Sequence, residues 1–389
     1  MNRKLKTALL LTGVIIAPVL ISPLPGFDSP TSTVVEASDG SLLGARIADN
    51  GQWRFPAVEE IPEKFEKALI TFEDRWYYYH PGINPVAVFR ALLNNLEAGR
   101  IVSGGSTISM QVSRMARGNS ERTYGGKISE MLSALKLELF YSKRSILKLY
   151  TANAPFGGNT VGLEAASWRY TGKPSSDLTW AEAAALAILP NSPSLVFPGR
   201  NKEILKTRRD RLLRKLYERK YIDSLTLLLA LEEPIPSEPG PLPAKAQHLT
   251  DHFFLEKKGE RIKTTIDPNL QELANAVMNR HQKDLSSNFI FNSACIIIRV
   301  ETGEVMAYVG NSNLENSSLH GGDVDIIKSL RSTGSILKPL LYTGMLNSGD
   351  ILPNTLIADV PTRFPGFSPK NFDHNYNGAV PAGAALSIA

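Results

Sequence analysis

Thr71–Gly82 reads TFEDRWYYYHPG: two adjacent acids, an arginine, four consecutive aromatics, a histidine and a Pro-Gly turn. An acid pair at the surface needs no such company. An unpaired buried carboxylate is costly to desolvate, so Glu73 and Asp74 point to a chemical task. Just upstream, Phe65, Ala68, Leu69 and Phe72 fall on one face of a helix that begins after Pro62. Pro81-Gly82 forces a turn just beyond. The pattern places Glu73 at a helix end, on the floor of a cleft.

Further helices follow. Asn84-Pro85 is an N-cap with proline at the first helical position, opening a helix to about Glu97. Lys127 to Tyr141 predicts a second long helix, and Ser142 caps another through Asn153. Thr179-Trp-Ala-Glu182 is a capping box ahead of the AAALAIL run. Lys202 to Lys220 reads as a basic amphipathic helix with a solvated charged face. Upstream, Thr33-Val-Val-Glu and Gly51-Gln-Trp-Arg-Phe suggest short strands. Pro234–Pro243, PIPSEPGPLP, excludes helix and central strand. Beyond it, Asp267-Pro268 starts a helix, ACIIIRV–ETGE–VMAYVG (residues 294–310) predicts a β-hairpin, and RSTGSILKP (331–339) opens another helix.

The expected organisation is a cytoplasmic tip and membrane anchor over 1–27, a linker with short strands over 28–60 and a mainly α domain over 61–225. A Pro-rich linker follows over 226–260, then an α/β portion over 261–389. The anchor rests on Arg3, Lys4 and Lys6 ahead of an uncharged stretch from Thr7 to Phe27. About 20 apolar residues cross a bilayer, and cationic flanks stay cytoplasmic. The rival, a cleaved signal peptide, lacks a convincing A-x-A site after the apolar run. Net charge is +5 and pI near 9.1, which suits an anionic partner. The small excess and the export segment disfavour nucleic acid. Cys295 is the single cysteine, which excludes an internal disulfide or a cysteine-based zinc site; it reads as a small core hydrophobe.

Ser103–Arg114, SGGSTISMQVSR, supplies flexible glycines, neutral donors at Ser106, Thr107 and Gln111, and a guanidinium at Arg114. Gly104-Gly105 suits close approach to a ligand. Lys127 and Glu130 share a helical face. Together these suggest glycosyl chemistry on a phosphorylated sugar. One carboxylate deprotonates an attacking hydroxyl while Arg114 and Lys127 hold a diphosphate leaving group. Opposite charges about 4 Å apart gain roughly 4 kcal/mol at an effective dielectric near 20, and the leaving group's charge grows in the transition state.

EDRWYYYHPG, GGSTISMQVSR, GKISE, KRSILKLYTAN and GGNTVGLEAA, in this order, resemble the five motifs of the peptidoglycan glycosyltransferase domain of class A penicillin-binding proteins. The likeness covers about Ile61 to Tyr221. Met110-Gln111, Gly125-Gly126-Lys127 and Ala154-Pro-Phe-Gly-Gly are most similar to the 1C branch. The resemblance implies a lysozyme-like helical fold that polymerises lipid II, with inversion, into a β-1,4 glycan strand at the periplasmic face of the bacterial inner membrane. Glu73 would be the base that activates the acceptor 4-hydroxyl. Glu130 would assist departure of undecaprenyl diphosphate, directly or through Mg²⁺; no metal ligand is assigned. Ser106, Thr107, Gln111, Arg114 and Lys127 would line the donor site, with Asp74 and His80 supporting the first motif. The implied partners are lipid II, the growing strand, the inner membrane and other cell-wall synthases. Val86, Val88 and Phe89 would either dip into the bilayer or pack in the core. Three positions depart from the pattern: Gly126 stands where arginine is common, Met110 where glutamine is, and Ser145 where glutamate is.

The Thr264–Gln271 and Ser335–Lys338 segments extend the resemblance into a penicillin-binding transpeptidase. Ser335 would be its nucleophile and Lys338 its base. The S-x-N and K-T-G motifs do not follow, so this portion is expected to be incomplete and not to react with a β-lactam. Two other readings stay open: a lytic enzyme on a lysozyme-like scaffold, and a non-catalytic wall scaffold or penicillin-binding module.

Overall fold

The computed structural model describes residues 26–100, 104–118, 124–191, 201–236, 238–312, 317–371 and 374–388. The expected membrane anchor falls outside them. Among the described residues, no helix is long and apolar enough to cross a membrane. The chain forms two compact units, Met1–Ile327 and Lys328–Ala389.

The first unit begins with strands β1 (Thr33–Glu36), β2 (Leu42–Arg46) and β3 (Trp53–Arg54). Helices α1 (Glu63–Glu73), α2 (Pro85–Ala98), α3 (Ile108–Ala116), α4 (Tyr124–Phe140) and α5 (Lys143–Asn153) follow. Next come β4 (Pro155–Gly157), β5 (Thr160–Val161), α6 (Leu163–Thr171), α7 (Trp180–Ile188), α8 (Lys202–Glu218) and α9 (Ser224–Glu232). The unit closes with α10 (Gln247–Glu256), β6 (Arg261–Lys263), α11 (Pro268–Ser286), the hairpin β7 (Cys295–Ile298) and β8 (Val305–Val309), and the short α12 (Ser317–His320).

The expected caps are in place. Asn84 accepts from the Ala87 N–H at 3.0 Å, Ser142 from Ser145 at 3.1 Å, and Thr179 and Glu182 form the reciprocal box. Serine at 145 leaves the Ser142 cap intact and adds a hydroxyl pair at 2.8 Å. The main core is helical. Phe65, Ala68 and Leu69 of α1 are buried against Ile108, Leu137, Ile146, Tyr150 and the alanine face of α7. Small alanines let α7 lie close to its neighbours. Basic α8 shows one surprise, because Arg209 is fully buried. Its guanidinium donates to the Leu231 and Glu233 carbonyls, closing the end of α9 that has no intrahelical donors left.

β1 pairs antiparallel with β2 and parallel with β6. Successive residues of a strand point to opposite faces. Val34 accordingly packs with Phe55, Ala165 and Trp168 on the helical side, while Val35 packs with Ala246, Ile266 and Tyr308 on the other. The stretch expected to be a linker is thus a two-faced sheet. The Pro-rich stretch also lies within the first unit: Leu242 packs on the Val34 cluster and the Gly240 N–H donates to the Arg169 carbonyl at 2.7 Å. Cys295 is half-buried against Ala274, Ala307 and Val309.

The second unit holds a 3₁₀ turn at Gly334–Ile336, α13 (Leu337–Ser348), the antiparallel pair β9 (Leu356–Asp359) and β10 (Gly378–Pro381), and α14 (Ala382–Ile388). Ser335 and Lys338 sit one turn apart as expected, but both are exposed and share no hydrogen bond.

Gly82 ties the first motif to α4. Its φ is +91°, and a Cβ there would stand 2.7 Å from the Ala134 carbonyl oxygen. Gly82→Ala is expected to lower stability by about 1–3 kcal/mol, read as a lower urea midpoint with an unchanged m-value.

Candidate active site

Glu73 is the last residue of α1, and the helix is stopped by Asp74 in a non-helical conformation. Asp74 is buried and its carboxylate is fully engaged. His80 Nε2 donates to it at 2.9 Å, and the Ile108 N–H donates at 3.3 Å. One side chain therefore closes the Trp76–Tyr79 turn and fixes the start of α3. The turn is held from outside as well. Lys143 donates to the His80 carbonyl at 2.7 Å and to Glu138 at 2.6 Å, and it lies over the Tyr77 ring. The Tyr77 hydroxyl donates to the Lys143 carbonyl at 2.8 Å.

This leaves the Glu73 carboxylate half-buried and held at both oxygens. Gln111 of α3 donates to Oε2 at 2.7 Å, and Asn191, in the turn after α7, donates to Oε1 at 3.1 Å. Burial pushes the Glu73 carboxyl above the ordinary glutamate range. The two hydrogen bonds and the Arg114 charge pull it back, and Asp74 adds to the rise. The guanidinium of Arg114, on the same helix as Gln111, makes no hydrogen bond among the described residues. It is half-exposed and within Coulombic range of Glu73.

A second cluster forms on α4. Lys127 pairs with Glu130 at 3.0 Å, as the i, i+3 spacing predicts, and donates to the Ser106 hydroxyl. Glu130 is buried while Lys127 is 41% exposed, so the ammonium is open to a ligand. Ser106 stands just ahead of the Thr107 cap of α3, and Gln111 lies in the first turns of that helix. The start of α3 thus touches both clusters.

Not every expected donor is available. The Thr107 hydroxyl donates to the Gly82 carbonyl at 2.6 Å and accepts the Met110 N–H, capping α3. Gly105 approaches the α2 backbone rather than a ligand: a Cβ there would meet Val88 Cα at 2.8 Å. Gly104 faces open space. Asp74 and Thr107 occupy the Ile108 and Met110 N–H groups at the start of α3. Lys143, one of the added positive charges downstream, serves as a staple. Val86 and Phe89 on α2 are 69% and 62% exposed, which removes the core-packing alternative for them.

Two functional neighbours were not visible in the sequence. Asn191 follows α7 by a three-residue turn, and nothing local marks it as a partner of Glu73. Glu138 accepts from Ser109 and Lys143, but looks like any helix-surface acid. Among the described residues, no group of three or more His, Cys, Asp or Glu is placed to hold a metal ion.

Residues 40–217 match the transglycosylase family model. The chain is 38% identical over 366 residues to penicillin-binding protein 1C of Escherichia coli, covering 94% of this chain and 47% of that protein. Residues 40–217 thus carry a transglycosylase domain, and the chain is similar over nearly its whole length to a penicillin-binding protein of the 1C type. It is 32% identical to penicillin-binding protein 1B of Haemophilus influenzae, over 87% of this chain and 46% of that one. Against penicillin-binding protein 1F of Bacillus subtilis the identity is 28%, over 86% and 48%. The chain spans about half the length of the curated relatives it matches.

Because the folded state raises the Glu73 pKa, ionising Glu73 destabilises the fold. The stabilising contribution of the protonated form is complete below the ordinary value of 4.5 and is lost as pH rises through the raised value. Glu73→Gln is expected to unfold at a higher temperature than wild type at neutral pH, with the gain vanishing below pH 4.5. Thermal unfolding at both pH values checks the sign.

Proposed function

We propose that this transglycosylase-domain protein polymerises lipid II into β-1,4 glycan strands with release of undecaprenyl diphosphate. The supporting observation is a half-buried carboxylate, Glu73, held by two neutral amides with the charge of Arg114 in range. Glu73 takes the proton of the acceptor 4-hydroxyl as that oxygen attacks the donor anomeric carbon. The anomeric C–O bond to the diphosphate breaks on the opposite face, which inverts the centre. Arg114 and Lys127 neutralise the charge that develops on the leaving group, where a positioned cation acts most strongly. Glu130 holds Lys127 in place and assists departure.

Gln111 orients the base, Ser106 orients Lys127, and Thr107, Asp74 and His80 hold the frame. Of Mg²⁺, the residues offer one carboxylate, Glu130, so the ion would be held chiefly by diphosphate oxygens and water. Residues 1–27 are read as a single inner-membrane anchor with the catalytic unit in the periplasm. Exposed Val86 and Phe89 suit contact with the undecaprenyl chain. Residues 261–389 are read as the N-terminal part of a transpeptidase domain, with Ser335 and Lys338 by motif, and other wall synthases as partners.

The lytic alternative needs a second carboxylic acid to protonate a leaving sugar oxygen, and Glu130 is instead paired with an ammonium. In a lipid II polymerisation assay, Glu73→Gln is expected to lower kcat by about 10²–10⁴-fold. A wild-type rate in that variant refutes the base assignment. Solubilised wall fragments without use of lipid II indicate hydrolysis instead.

A further inference from the structure

The turn between α1 and α2 buries and exposes its side chains with a period of three. Tyr77–Tyr79 form a 3₁₀ turn. The Tyr77 N–H donates to the Asp74 carbonyl at 3.0 Å and the Tyr79 N–H to the Trp76 carbonyl at 2.8 Å, both three residues back. At three residues per turn, side chains at i and i+3 eclipse. Asp74, Tyr77 and His80 are accordingly buried on one side, with the Tyr77 and His80 rings edge-on at 6.4 Å. Trp76 and Tyr79 are the matching pair on the outside. Their rings meet edge-on with centroids 5.7 Å apart, and they are 45% and 82% exposed.

The inward side chains hold the turn, through Asp74 on His80 and Ile108 and through the Tyr77 hydroxyl on α5. The outward pair is therefore displayed on a fixed backbone. Its surroundings are polar. The Arg75 guanidinium lies over the Trp76 ring at 5.2 Å, and the Tyr78 hydroxyl donates to Glu66 of α1. A hydrocarbon chain laid on these rings would strip water from the charged groups without replacing it. A pyranose would not: its C–H faces cover the rings while its hydroxyl and acetamido groups reach the polar rim. Trp76 follows Glu73 by three residues, so their Cα atoms are at most about 11 Å apart, a span that a short oligosaccharide covers. The cations Arg114 and Lys127 lie on α3 and α4, whereas the aromatic pair lies on the segment that leaves Glu73.

We propose that Trp76 and Tyr79 form a saccharide subsite on which a sugar ring of the acceptor stacks while its reacting hydroxyl lies at Glu73. The inference rests on the reading of Glu73 as the base for a sugar hydroxyl. The stack forms when the acceptor binds and persists while the new bond is made, so it acts on binding and not on the chemical step.

Of the four tryptophans, Trp76 alone is exposed, so tryptophan emission reports on this patch. Titrating the full chain with chitotetraose, a β-1,4 oligomer of N-acetylglucosamine, is expected to move the emission to shorter wavelength. The movement should be absent in Trp76→Leu. By calorimetry, Trp76→Leu and Tyr79→Ala should bind chitotetraose about 3- to 10-fold more weakly, and Trp76→Phe, which keeps a ring, should lose less. Both side chains are exposed, so the unfolding midpoints should match wild type. In lipid II polymerisation the loss should appear in KM rather than kcat.

Wild-type affinity in Trp76→Leu and Tyr79→Ala overturns the proposal. So does an emission change produced by vesicles of phosphatidylethanolamine and phosphatidylglycerol and not by the saccharide, because Trp76 is then an interfacial anchor. Glu73→Gln in the same assays separates the two readings. It should bind chitotetraose like wild type and fail to polymerise. If it binds and still polymerises, the base assignment has failed and the saccharide subsite stands on its own titration. If it fails to polymerise while the Trp76 and Tyr79 variants bind like wild type, the subsite alone has failed.

Discussion

The site depends on the burial of one carboxylate, that of Asp74. Asp74 ends α1, accepts from His80 across the aromatic turn and accepts the Ile108 N–H at the start of α3. A buried carboxylate left unpaired would be expensive, so the three segments must meet where they do. Once they meet, Gln111 and Arg114 are carried on α3 to the side of Glu73. Asp74, the second acid of the motif, therefore fixes the geometry, and Glu73, the first, is left with its carboxylate held by neutral amides. The Lys143–Glu138–Ser109 contacts support the same turn from α4 and α5.

Glu73 shows the complementary balance. Its carboxylate is not satisfied by a cation in a tight pair. It is held by two neutral amides, with the charge of Arg114 at longer range. A direct salt bridge would lower its pKa and weaken it as a base. Burial pushes its pKa the other way, and the two neutral donors offset part of that rise.

Much of this was legible in the sequence, for identifiable reasons. Helix starts were clear wherever a side chain must satisfy free N–H groups, as at Asn84, Ser142, Thr179 and Asp267. The hairpin at 295–309 was clear from its apolar runs on either side of Gly303. The Lys127–Glu130 pair was clear because it is local. What the sequence hid was long-range. The role of β1 as a strand with two buried faces depends on partners more than 200 residues away, such as Glu36 with Arg261. Arg209 looked like part of a solvated basic face and is buried because α9 presents carbonyls to it. Asn191 reaches Glu73 across 118 positions. No window of periodicity or capping contains such information.

The same distinction separates the glycines. Gly104 and Gly105 are adjacent and chemically identical, and the sequence suggests one role for both. Only Gly105 is pressed against another backbone, that of α2 at Val88. Gly104 has open space around it, while Gly105 sets how closely α2 packs against the loop ahead of α3. The exposed face of α2, with Val86 and Phe89, is thereby held against the segment that carries Ser106 and, through it, Lys127. An apolar surface and a cationic group are thus tied together by one missing Cβ, the pairing that the proposed substrate, with its hydrocarbon chain and diphosphate, would require.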